Sequence, residues 1–161
     1  MSNPFLRLFR RMALRRGRST VPTNLLPLKK IRSATVFVDT TTGEDPTPVC
    51  RAVRQFFDYQ GIPVLVLCPQ KRDVNAVGRL KNRLRGSHKS PRKEDLFLSL
   101  AVSPDNFAAE YEARCSTARC KVGRFQYPGA VFDLVVTAQA GSDPSQSAAF
   151  SAIKDYLTKI R

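Results

Sequence analysis

Ser33 to Asp39 read SATVFVD, and this stretch decides the fold. Its centre is apolar and β-branched without a break, the composition of a strand covered on both faces, as in a parallel sheet. Two runs of the same kind follow at Ile62–Cys68 (IPVLVLC) and Leu96–Val102 (LFLSLAV). Further strands are read at Cys120–Phe125 (CKVGRF) and Val131–Ala138 (VFDLVVTA). Helical patterns lie between them. Thr47 as N-cap and Pro48 behind it open one that buries Val49, Val53, Phe56 and Phe57 and stops at Gly61. A second covers Phe107–Ser116, with Phe107, Tyr111 and Cys115 inward. A third starts at Asp143, with Pro144 next and Gln146 three residues on, and buries Ala149, Ile153, Tyr156, Leu157 and Ile160. Strands alternating with helices predict an α/β fold. Residues 31–161 form a single Rossmann-like three-layer domain with a mostly parallel sheet of four to five strands.

Outside that frame the charge is unusual. The formal net charge is +14, in a chain whose 42% apolar and 25% charged residues are otherwise ordinary. Residues 1–32 hold nine basic side chains and no acid, and residues 71–95 hold nine basic against three acidic ones. The remainder is close to neutral. A field of this size favours phosphate-rich partners: RNA, DNA, the ribosome, or anionic lipid.

Residues 1–30 read as a basic amphipathic arm and linker. In PFLRLFRRMALRR (4–16), Phe5, Leu8, Phe9 and Met12 share one helical face, with Arg7, Arg10, Arg11 and Arg18 largely opposite. Such a helix suits a membrane surface, a transit peptide, or an arm on nucleic acid with its apolar side packed on protein. A solvated tail is the bland alternative. Gly17–Pro27 then breaks the helix, and Leu25, Leu26 and Leu28 are expected to tack the linker down. In the second basic stretch Val74, Val77, Leu80 and Leu84 predict a short helix, followed by an exposed GSHKSPRK loop. This loop has no aromatic residue for base stacking, so phosphate contact is the expected mode.

The leading expectation is a non-catalytic RNA- or ribosome-associated protein. It would grip phosphates through Arg7, Arg10, Arg11, Arg15, Arg16 and Arg18 on the arm. Arg79, Lys81, Arg83, Arg85, Lys89, Arg92 and Lys93 would supply the second patch. One alternative is a small-ligand domain for a nucleotide or phospho-sugar, or a degenerate glycosyltransferase-like domain. It would use Asp39, Thr40, Thr41 and Thr42, because ligands of doubly wound sheets bind beyond the carboxyl ends of strands. Those residues also suit a plain turn into the helix. Gly43 stands alone, so neither the dinucleotide nor the P-loop glycine pattern is present. The other alternative is a peripheral membrane adaptor.

No catalytic residue, cofactor or metal is expected. The one histidine, His88, lies in the basic loop, and Asp39 and Asp133 fall at opposite ends of their strands. Cys115 and Cys120 have no common zinc spacing, while Cys50 and Cys68 read as small buried hydrophobes. A reducing cytoplasm suits free thiols. No apolar run approaches the roughly 20 residues of a membrane span, and no apolar segment follows the N-terminal charges as in a secretory signal.

The chain from Asp95 onward resembles a family of small uncharacterised proteins from the Bacteroidota. The likeness rests on LFLSLAV (96–102), Phe107, ARCSTARCKVGRF (113–125) and FDLVV (132–136). The opening at 34–68 and the last helix also fit. It implies the α/β domain and carries no activity. A second resemblance, to the N-terminal half of heptosyltransferase-type glycosyltransferases, implies a Rossmann-like half without their sugar-nucleotide domain. On residues alone, Gly123 in KVGRF is expected to allow a turn or bulge.

Overall fold

The computed structural model describes residues 3–81, 84 and 94–161. The strands are β1 (Ala34–Phe37), β2 (Val64–Leu67), β3 (Leu96–Ser99), β4 (Cys120–Gly123) and β5 (Leu134–Val135). All pair in parallel, in the order β2-β1-β3-β4-β5. Ala34 stands beside Val64 on one side and Leu96 on the other. This order reverses direction at β1, so the crevice between β1 and β3 is the switch point where doubly wound sheets place ligands.

Among the described residues there are four α-helices: α1 (Pro4–Gly17), α2 (Thr47–Tyr59), α3 (Phe107–Cys115) and α4 (Gln146–Lys159); α2, α3 and α4 flank the sheet, and α1 packs on α3. The strand pleat sorts the core. Ala34, Val36, Leu96, Leu98, Cys120 and Val122 point to one face, against α2 and α4. Phe37 and Phe97 point to the other, against Ala109 and Ala113 of α3 and against Leu80. The outer strand β2 is only half covered, whereas β1, β3 and β4 are buried throughout.

Several local expectations are corrected. Residues 74–80 form no helix. The chain makes a 3-10 turn at Lys71–Asp73, and Val74 and Leu80 then bridge in antiparallel fashion. Asn75 causes this: its side-chain oxygen accepts from the N–H groups of Val77, Gly78 and Arg79 at 3.0, 3.1 and 3.0 Å. Gly78, at φ +100°, closes the turn. At α2, Pro46 holds the N-cap position and Asp45 accepts from the Thr47 N–H at 3.0 Å. At α4 the cap is Ser145, whose hydroxyl accepts from the Ala148 N–H. The buried stripe of α4 is Gln146, Phe150, Ile153 and Leu157, while Tyr156 is 53% exposed. Phe150 takes the inward place because its ring meets Phe56 edge-on at 5.9 Å.

Gly123 is also reassigned. It does not share the positive φ of the turn glycines. Instead a Cβ there would stand 2.5 Å from the Phe132 ring, so the missing side chain makes room for an aromatic in the core.

Helix α1 lies along α3 on the outside of the body. Asn3 caps it, accepting from the Phe5 N–H at 3.0 Å, and Pro4 opens it. Gly17 lets it approach closely, since a Cβ there would meet Cys115 Sγ at 2.5 Å. The linker is then tied down in three places. The N–H groups of Ser19 and Asn24 donate to the carbonyls of Arg114 and Arg119, and the Thr23 hydroxyl donates to Asp133. Leu26 and Leu28 pack on the α2–α4 core, but Leu25 stays 41% exposed.

Candidate functional site

A cleft of about 760 Å³ opens beyond the carboxyl ends of β1, β2 and β3, on the α3 side of the switch point. Its apolar part comes from Phe37, Val74, Phe107 and Ala108. Its polar rim comes from three loops and one helix. The β1 loop gives Thr40 and Thr41, the β2 loop gives Gln70 and Lys71, the β3 loop gives Ser103, Asp105 and Asn106, and α1 gives Arg10. A guanidinium from the N-terminal helix thus meets the carboxyl edge of the sheet. The arm and the rim read separately in the sequence share one wall.

Asp39 stands behind this cleft and is only 1% exposed. One carboxylate oxygen accepts from the N–H and hydroxyl of Thr41 at 2.9 and 2.6 Å. The other accepts from the Val102 N–H at 3.0 Å. Burial pushes this carboxyl up. Hydrogen bonds from the Thr41 hydroxyl, the Val102 and Thr41 N–H groups and the Asn106 side chain outweigh that and hold it below the ordinary value. Asp39 therefore staples β1 to the loop after β3. Thr40 donates its hydroxyl to the Pro69 carbonyl, and Thr42 turns away, its hydroxyl accepting from the Glu44 N–H. Of the four predicted rim residues, Thr40 and Thr41 line the cleft. Asp133 sits at the opposite end of the sheet, where it accepts from the Lys121 N–H at 2.8 Å.

The predicted cations divide. Arg10 lies over the Phe107 ring at 4.7 Å and donates to the Val77 carbonyl, and Arg79 lies over the Tyr111 ring at 4.3 Å. These cation–π contacts bind α1 and the 74–80 turn to α3. Arg7, Arg11, Arg15, Arg16, Arg18 and Lys81 are exposed. Arg83, Arg85, Lys89, Arg92 and Lys93 lie outside the described residues, as does the GSHKSPRK loop.

The faces of α1 are the larger surprise. Leu6, Arg10, Ala13, Leu14 and Gly17 are the half-covered positions, spaced as one stripe toward α3. The stripe Phe5, Leu8, Phe9 and Met12 faces outward and is 69, 55, 56 and 38% exposed. It runs beside Arg7, Arg11, Arg15 and Arg16, and among the described residues no ion pair engages these four. Sequence reading found the stripe. It missed which face docks, because the docking residues are mixed in character: Leu6 and Leu14, an alanine, a glycine and an arginine.

Among the described residues no group of three or more His, Cys, Asp or Glu side chains could hold a metal ion, and no helix is long and apolar enough to cross a membrane. No family model, curated protein or solved structure matches the chain.

Proposed function

We propose that this is a peripheral protein that settles on an anionic lipid surface through α1 and holds its α/β body beside it. The outward stripe of Phe5, Leu8, Phe9 and Met12, beside arginines that no ion pair engages among the described residues, carries the reading. Contiguous exposed apolar surface asks for an apolar partner. A phosphate backbone satisfies Arg7, Arg11, Arg15 and Arg16 but offers nothing to two phenylalanines, a leucine and a methionine. A lipid interface takes both: apolar side chains enter the headgroup–acyl boundary while arginines meet lipid phosphates. Each arginine near such a surface contributes about 1 kcal/mol, so the four give a weak anchor and the apolar stripe supplies the second signal.

The test is flotation with phosphatidylcholine vesicles, with and without phosphatidylserine, at low and high salt. The full chain floats only with the anionic vesicles, and less at high salt. Phe5→Glu combined with Phe9→Glu abolishes flotation without moving the thermal midpoint, since neither side chain packs on the body. A chain that ignores anionic vesicles overturns the reading. So does one that binds RNA equally well with and without these two substitutions, and that result would restore nucleic-acid binding by the basic segments.

A further inference from the structure

We infer that the switch-point cleft binds a nucleoside phosphate, its phosphate toward Arg10 and Lys71 and its body against Val74 and Ala108. Position comes first. The cleft lies where the strand order reverses between β1 and β3, beyond the carboxyl ends of the strands, the place where open parallel sheets of this winding receive ligands. Size comes second. At about 760 Å³ it falls in the range of small-molecule sites, roughly 300–1,000 Å³, and is far larger than one inorganic phosphate requires.

Charge decides the class. Two cations from separate elements, Arg10 of α1 and Lys71 of the β2 loop, line the cleft, and Asp105 is the one acid among its described lining residues. Arg10 is fixed before any ligand arrives. Its Nε donates to the Val77 carbonyl at 2.9 Å and its guanidinium plane rests on Phe107. Among the described residues its terminal nitrogens have no hydrogen-bond partner, and they suit a phosphate oxygen better than a lysine would. Gly78 permits this: a Cβ there would come within 3.0 Å of both the Arg10 guanidinium and the Phe107 ring. Val74, Phe107 and Ala108 give the cleft an apolar side, which a bare anion leaves uncovered and a nucleoside covers.

The inference does not rest on lipid binding, and its test contains no vesicles. Full-length protein is titrated with ADP, AMP, adenosine and pyrophosphate by calorimetry and by amide chemical shifts. ADP is expected to bind below about 1 mM and more tightly than pyrophosphate, with shifts at Thr41, Lys71 and Ala108. Lys71→Ala, which removes a surface side chain, weakens ADP about tenfold, and Arg15→Gln leaves it unchanged. Arg10→Gln weakens it further but also loosens α1, so Lys71→Ala is the deciding variant. Equal affinity for pyrophosphate and ADP, an unaltered Lys71→Ala titration, or no heat and no shift with any of the four compounds overturns the site.

Discussion

Gln146 spends its side-chain amide on the backbone of one residue, Asp39. Its oxygen accepts from the Asp39 N–H at 2.8 Å, and its nitrogen donates to the Asp39 carbonyl at 2.7 Å. Gln146 is fully buried, and its own N–H donates to Glu44. The first turn of α4 is thereby fixed to the end of β1 from one face of the sheet. The Asp39 carboxylate meanwhile fixes β1 to the β3 loop. Gln146→Leu keeps the volume and leaves a buried N–H and carbonyl unpaired. It should cost about 2–4 kcal/mol, seen as a lower urea midpoint at unchanged slope.

Asp39 also sets the acid limit. Its folded pKa lies below the ordinary 3.8, as does that of Asp95, where burial raises the carboxyl but the Arg32 N–H and Arg119 lower it more. A depressed acid contributes stability that is fully present above the unfolded value and is lost as pH falls through the folded one. Unfolding midpoints should therefore hold from neutrality down to about pH 5 and fall below 3.8. Asp39→Asn should remove part of that slope. A wild-type midpoint flat to pH 2 would sink the assignment.

Gly123 and Phe132 form a matched pair across β4 and the approach to β5. A methyl at Gly123 would stand 2.5–2.7 Å from three ring carbons. Gly123→Ala should destabilise by about 1–3 kcal/mol through overpacking. Phe132→Leu alone also destabilises, but the double variant should recover part of the sum, because the smaller side chain yields room. Strict additivity would show that the two do not share the space.

The sheet was legible because buried parallel strands are written as continuous apolar runs, and SATVFVD, IPVLVLC and LFLSLAV are such runs. The outward stripe of α1 was legible from its period. The 74–80 turn was not, since Val74, Val77, Leu80 and Leu84 keep helical spacing, and only the three hydrogen bonds to Asn75 show why the chain turns instead. Gln146 read only as the third residue after an Asp143 cap, not as a buried anchor. A glutamine in a first helical turn reads as solvated until the tertiary fold brings Asp39 to it. The role of Arg10 was hidden for the same reason: nothing near it in sequence announces Phe107 or Gly78.

Cys68 should be chemically quiet. Burial, reinforced by the neighbouring Cys50 thiol, pushes its pKa up to about 12, so at neutral pH it stays protonated and a poor nucleophile. The Cys120 thiol is raised as well, again chiefly by burial. Native protein at pH 7 should react with neither iodoacetamide nor a disulfide reagent at these two positions, whereas urea should release both. Rapid labelling of Cys68 in the folded protein, located by peptide mass, would contradict its placement.

The docking of α1 turns on Gly17, which sits against Cys115 and Tyr111 of α3. A leucine there cannot fit, since even its Cβ would stand 2.5 Å from Cys115 Sγ. The body has its own core, in which no residue of α1 is buried, so Gly17→Leu should lift the helix without unfolding the sheet. Trypsin at Arg15, Arg16 and Arg18 then reports the opening, with about tenfold faster cleavage for each ~1.4 kcal/mol lost at the contact. Overpacking of this kind costs about 1–3 kcal/mol, so an increase of roughly five- to a hundredfold is expected, with a much smaller change in the main thermal transition. Gly17→Ala should move the same way by less. Unchanged proteolysis in both variants would mean that Arg10 on Phe107 and the linker bonds to Arg114 and Arg119 hold the helix without help from this close approach.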